Sequence, residues 1–294
     1  MTNTALILGA SGSFGTNCTA AFTSAGWNVR KFRRGTDDMN TSAQGADVIV
    51  NGLNPQNYKN WPTELPKIAN AVINAAKSSG ATIIQPGNVY NFGDHPGVWN
   101  EKTPHNAQTR KGKTRTAMEA TLHHAAQDHG IQIIILRAGD FIDAHPSDNF
   151  IDFLTKDLHK GRFIYPGNPD IAHAWAYLPD MARAAVMLSE QRNTLEKFED
   201  IPFEGHTLSA LEIKTALEHA GGQTLTFKGF PWAMMRLLTP VWGLAREMHE
   251  MRYLWNTPHS LDSAKLTELL PNFKATAFSD IIAQLLPSSA HVHR

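Results

Sequence analysis

The chain of 294 residues contains one cysteine, Cys18. It therefore has no intramolecular disulfide framework, and a lone thiol suits a reducing cytoplasm. Net charge is missing as well, with Lys plus Arg and Asp plus Glu standing at 27 each. Without a basic or acidic excess, no field draws the protein to nucleic acid or to an anionic membrane, so a small molecule is the expected partner. Long apolar runs are also absent near the start. The opening "MTNTALILGASG" has no basic leader, and its apolar stretch stops at Leu8, too short for a signal peptide or a membrane span. There is no internal repeat or low-complexity tract, and no zinc signature: "HEMR" at 249–252 is not H-E-x-x-H, and adjacent His123 and His124 diverge on a helix. These exclusions leave a cytoplasmic, globular protein, monomer or homodimer. Its 42% hydrophobic residues are enough for one large domain or a main domain with a smaller lobe.

What is present alternates. Short apolar runs at 4–8, 28–32, 47–51, 82–85 and 131–136 predict strands buried on both faces. Helical patterns at 13–25, 61–79 and 110–129 separate them, the last two stopped by Gly80 and Gly130. This order predicts an α/β fold with a doubly wound parallel sheet, whose ligand lies beyond the carboxyl ends of the strands. After Phe141 the alternation breaks into loops, helices and a strand near "TLTFKG", read as a smaller, mainly helical C-terminal lobe. The expected division is 1–142 with 174–205 for the sheet domain, and 143–173 with 206–294 for the smaller lobe. Within that lobe, the Trp- and Met-rich stretch 230–259 is read as helices packing on each other, or as the lining of a substrate pocket or partner surface.

Two motifs carry chemistry. "LILGASGSFGTN" spaces Gly9, Gly12 and Gly15 as G-x-x-G-x-x-G between a strand and a helix. The turn is tight and the backbone there must approach a pyrophosphate seated on helix amides, which places Ser11, Ser13 and Phe14 beside it as well. The second strand ends in "VRKFRR". An acidic residue at this point would receive a free ribose, whereas arginine suits a 2′-phosphate, so Arg33 and Arg34 favour NADP over NAD unless they are simply surface charge.

These motifs, together with "ATIIQPGNVYNFG", "ILRAGDFI" and "YLPDMARAAV", resemble the extended and atypical short-chain dehydrogenase/reductases, the NAD(P)-dependent epimerase/dehydratase superfamily. The resemblance covers most of the chain and implies a Rossmann-type nucleotide-binding sheet with a substrate lobe, with Asn51 at the end of the third strand beside the cofactor. It also implies a Ser or Thr after the fourth strand and a Y-x-x-x-K helix. This chain departs from that set: Pro86 stands about where the hydroxyl belongs, and Lys111 and Arg115 stand where Tyr and Lys belong. The run Lys111, Arg115, Glu119 is similar to an isoflavone-reductase-like branch in which a lysine lies near the nicotinamide. Residues four apart share a helix face, so Lys111 and Arg115 are expected to face the cofactor together while Met118, Leu122 and Ala125 pack on the sheet. The alternative is a solvated helix start, although cations there oppose the helix dipole. Asn88 and Tyr90 are the further catalytic candidates, in the loop that lines the nicotinamide pocket in the family. The expected function is NADPH-dependent reduction of a small carbonyl or enone. A non-catalytic dinucleotide sensor and a nucleotide-sugar epimerase or dehydratase are the alternatives, the latter disfavoured by the missing Ser/Tyr/Lys set.

Overall fold

The protein is described from a computed structural model covering residues 2–55, 60–144, 149–238 and 243–286. The first half runs β1 (Thr4–Leu8), α1 (Ser13–Ser24), β2 (Asn28–Lys31), α2 (Met39–Ala43), β3 (Val48–Asn51), α3 (Trp61–Ser79), β4 (Thr82–Asn88), β5 (Gly97–Trp99), α4 (Arg110–His129) and β6 (Ile133–Ala138). There follow β7 (Asp140–Ile142), α5 (Phe150–Thr155), β8 (Arg162–Tyr165), β9 (His173–Tyr177), α6 (Leu178–Glu190) and β10 (Phe198–Pro202). The chain closes with β11 (His206–Leu208), α7 (Ala210–Gly221), β12 (Thr226–Gly229), α8 (Trp232–Leu238), α9 (Gly243–Met251), β13 (His259–Leu261), α10 (Ala264–Leu269) and α11 (Phe278–Leu285).

Six parallel strands form the main sheet in the order β10-β6-β4-β3-β1-β2. Its interior strands carry continuous apolar runs because both faces are covered, with Asn51, Gln85, Asn88 and Arg137 entering only toward their carboxyl ends, and alternate residues serve opposite layers. Ala5, Ile7, Val48, Val50, Ile84 and Ile134 pack under α1 and α6. Leu6, Leu8, Ile49, Ile83, Ile133 and Ile135 pack under α3 and α4. Strand β2 is one of the two edges, and it tolerates the charges of "NVRK" because its side chains are only partly covered. The chain turns from β1 to β2 on one side and returns to β3 on the other, so the switch point of this open sheet lies between the ends of β1 and β3.

The expected Rossmann-type sheet and helices are present, with small shifts at the ends. The fourth strand extends to Asn88, because Pro86 to Asn88 pair with Leu136 to Ala138, and the strand after Gly130 starts at Ile133 rather than Ile131. The sixth strand, β10, was not expected, since Glu199, Asp200 and Pro202 interrupt its apolar pattern. Its acids are consumed by tertiary partners, Asp200 by Arg137 and Glu199 by Lys265. The later part carries more strand than a helical lobe suggests: β11-β9-β7, β12-β8 and β13-β5 make three small sheets, whose short strands become recognisable only once paired. These and α5, α7 and α11 enclose a second core rich in aromatic residues, including Phe163, Trp175 and Trp255, with Ile281 of α11 packed among them.

Candidate functional site

Because the carboxyl ends of β1, β3, β4 and β6 open on one side, the chemistry-bearing loops gather there. The glycine turn follows β1. Gly9 is left-handed (φ 72°), and a Cβ on it would stand 2.5 Å from the Gly52 carbonyl oxygen. Gly15 is pressed even closer to the Gly9 carbonyl. These two glycines are therefore demanded by the fold. Gly12 is different: its backbone (φ −84°, ψ 164°) suits any residue, and the nearest atom to a Cβ would be the Gly9 oxygen at 3.5 Å. Helix α1 follows Gly12, its N-cap residue, with no side-chain cap and no acid in its first turn, whereas α4 and α7 are capped by Thr109 and Ser209. Such a helix end offers its amides and its positive dipole end to an anion. The residues present thus fit a pyrophosphate. Ser11 is exposed and Ser13 half-buried at this turn, while the Phe14 ring is buried in the core, so Phe14 has only its backbone to offer a ligand.

Asn51, at the end of β3, is buried and donates to Gln85 Oε1 (2.7 Å), while its own oxygen receives the Leu53 amide. It orders the loop beside Gly9. At the end of β2, Arg33 binds Asp37 through both its guanidinium and its backbone N–H (2.8 Å each), and this pair holds the Asp37 carboxyl below its ordinary range. Arg34 is exposed. Arg30 is committed elsewhere, donating to the carbonyls of Ser42, Gln44 and Gly45.

Helix α4 forms as expected, with the Thr109 hydroxyl accepting from the Gly112 amide and Met118, Leu122 and Ala125 buried against the sheet. Its cations do not share one environment. Lys111 is only 2% exposed, and its backbone N–H donates to Glu250 of α9 (2.8 Å). Arg115 is half-buried, stacked 4.8 Å from the Trp61 ring centre and 3.5 Å from Asn54 Oδ1, on the side of the loop after β3. Lys113 is exposed. Asn88 spends its side-chain oxygen on the Tyr90 amide and its carbonyl on Arg137, and Tyr90 packs between two cores.

Beneath these loops lies an ion cluster that the sequence reading passed over. Arg137, fully buried at the end of β6, meets Glu119 (2.7 Å) and Asp200 (2.6 Å). Burial works against its charge, but the two carboxylates overcome that and hold it ionised. Donor atoms of His105, Glu119 and Asp200 lie within 4.8 Å of one another, yet the guanidinium already occupies both carboxylates. An arginine inside the otherwise apolar strand "IIILRA" was the available signal. Cys18 is buried, and burial raises its thiol far above the ordinary range, so it has no nucleophilic role.

The profile of the NAD dependent epimerase/dehydratase family matches residues 5–201, and the chain belongs to that family. No match was found among curated protein sequences. Solved structures of the same fold include UDP-glucuronic acid 4-epimerase from Bacillus cereus in complex with NAD, with 17% identity, 96% of each chain covered and a TM-score of 0.76. A UDP-glucose-4-epimerase from Stenotrophomonas maltophila with bound NAD and formylated UDP-arabinopyranose gives 15% identity over 97% of this chain and 96% of that one, with a TM-score of 0.74. A nucleoside-diphosphate-sugar epimerase from Pseudomonas aeruginosa aligns over 96% of each chain at 15% identity, with a TM-score of 0.73. At such identities the likeness establishes the fold. The comparisons lean toward the epimerase/dehydratase alternative rather than the reductase. Among the described residues no helix is long and apolar enough to cross a membrane.

Proposed function

We propose that the chain binds a nicotinamide dinucleotide between the ends of β1 and β3 and acts as an epimerase/dehydratase-type enzyme on a small molecule. The observation that carries the reading is Gly12, a glycine its own backbone does not require, left open at the head of an uncapped helix. When bound, the dinucleotide supplies reversible hydride exchange. The protein's own residues supply position and electrostatics. The amides around Ser11, Gly12, Ser13, Phe14 and Gly15 hold the pyrophosphate, and Asn51 fixes the facing loop. Arg33, released from Asp37, and Arg34 hold a 2′-phosphate, which makes NADP the proposed cofactor. Asn88 and Tyr90 border the nicotinamide end, Lys111 places a fixed positive charge at the start of α4, and Arg115 borders the loop after β3. On this reading residues 1–142 and 174–205 carry the cofactor, and 143–173 and 206–294 close over the substrate.

Net reduction of a carbonyl or enone by NADPH is the second reading, favoured by the basic end of β2, which suits a 2′-phosphate. Fluorescence titration with NADPH and NADH tests the cofactor. Product analysis by NMR after incubation with UDP-sugars, beside an NADPH-consumption assay on a carbonyl panel, separates the readings. Isomerised sugar without net cofactor change supports the first, and steady NADPH loss supports the second. Tight NADPH binding with neither outcome overturns the enzyme assignment and leaves a sensor.

A further inference from the structure

Outside the face built by α4, buried polar atoms lacking hydrogen bonds within the described residues gather around Asp140. They are the Tyr165 hydroxyl, both ring nitrogens of His173 and Nε2 of His259. Leaving a buried polar group unpaired is costly, so a concentration of such groups marks a place where function competes with stability. Asp140 is the member open to solvent. Its side chain is 16% exposed while His173 behind it is fully buried.

The topology sets Asp140 in the crevice. Strand β6 ends at Ala138, opposite Asn88 of β4, and β7 resumes at Asp140 after a single residue. The carboxylate therefore stands just past the carboxyl ends of β6 and of β4, whose loop borders the nicotinamide in the proposed reading. Its Oδ2 receives Trp255 Nε1 (3.2 Å) and lies 3.3 Å from His173 Nε2, close enough for an ion pair though not aligned as a hydrogen bond. Oδ1 has no hydrogen bond from a described residue. The titratable groups facing this carboxylate are His173 from β9, His259 from β13 and Tyr165 from β8. The positions inherited from the family offer no comparable proton carrier: Pro86 has none, Lys111 is closed off from solvent, and Arg115 cannot give its proton up.

We propose that Asp140 exchanges the proton with the substrate oxygen and that His173 is the positioning residue that fixes its carboxylate. In the oxidative direction Oδ1 takes the hydroxyl proton. The O–H electron pair becomes the second C–O bond, and the C–H pair leaves as hydride to the oxidised nicotinamide dinucleotide; reduction reverses each transfer. The assignment rests on the reading that hydride is exchanged at an oxygen-bearing carbon. It absorbs a group that the family motif does not explain.

The test has two arms. Long-range ¹H–¹⁵N spectra of histidine-labelled wild-type protein read the His173 ring directly. A proton on Nε2 is expected, because a lone pair there would face a carboxylate, and a bare Nε2 overturns the pairing whether or not a substrate has been found. In turnover with the UDP-sugar and carbonyl panels, Asp140→Asn is expected to keep NADPH affinity within twofold and to lose about 10²- to 10⁴-fold in kcat, with partial rescue in Asp140→Glu. His173→Asn is expected to lower kcat with little change in KM and to displace the pH profile. Turnover of Asp140→Asn within threefold of wild type overturns the catalytic role. If neither panel is turned over, the enzyme reading fails and the proton-exchange role of Asp140 falls with it, while the spectra still decide the pair.

Discussion

The glycine turn allows folding and binding to be separated by two neighbouring substitutions. A Cβ at Gly15 would collide with the Gly9 carbonyl oxygen, so Gly15→Ala must displace backbone and lower stability. At Gly12 a Cβ finds its nearest atom at 3.5 Å, and the extended backbone suits a β-branched residue. Gly12→Val should therefore fold, losing about 1 kcal/mol or less from a poorer helix cap. Its side chain would fill the space where the pyrophosphate approaches the amides. If two charge-assisted hydrogen bonds at about 1.5–3 kcal/mol each are lost, binding weakens by about 3–6 kcal/mol, at least ~10²-fold. Thermal unfolding establishes that Gly12→Val is folded, and NADPH fluorescence titration reads the affinity. Unchanged NADPH affinity in folded Gly12→Val refutes the placement of the phosphate at this turn.

Replacing Arg33 and Arg34 together with Ala should weaken NADPH more than NADH, by about 2–4 kcal/mol if two charged bonds are partly lost; equal affinities of the parent for the two cofactors would show the arginines to be surface charge. Lys113→Ala, on the exposed side of α4, should change stability by less than about 0.5 kcal/mol, whereas Lys111→Ala should cost more than about 1 kcal/mol and reduce turnover. Lys111→Met keeps most of the volume, so recovery of stability without recovery of turnover isolates the charge. Burial, then the neighbouring His173, lowers His259 from its ordinary 6.5 to about 4. The unfolded chain therefore binds more protons between these values, so His259 contributes fully above pH 6.5 and its contribution is lost as pH falls toward 4. The loss is at most about 3 kcal/mol, and urea midpoints across this window should fall less steeply in His259→Asn than in the parent. An identical slope would place the histidine outside the acid sensitivity.

How much could be read in advance differs between the two halves of the molecule. Strands β1, β3, β4 and β6 announce themselves because burial on both faces gives each an unbroken apolar stretch, ALIL, VIV, II and IIIL, and the helices between them carry their own stops. The glycine turn was legible for a related reason: backbone in close contact tolerates no side chain, and Gly9 and Gly15 record that contact in residue type. Family membership followed from these features. The second half was opaque because three-residue strands such as β7, β11 and β13 have no pattern of their own and exist only through pairing partners far along the chain.

The same distinction governs the site. Spacing put Lys111 and Arg115 on one stretch of helix, but neighbours decide what a side chain meets. Glu250, 139 residues away, closes on Lys111, while Trp61 draws Arg115 toward another loop. Arg137, Glu119 and Asp200 lie on three separate elements, and so do Asp140, His173 and Trp255. Local order is written in hydrophobic period and turn chemistry, which act over a few residues. Charge pairing and burial depend on distances in space, which only the folded chain determines.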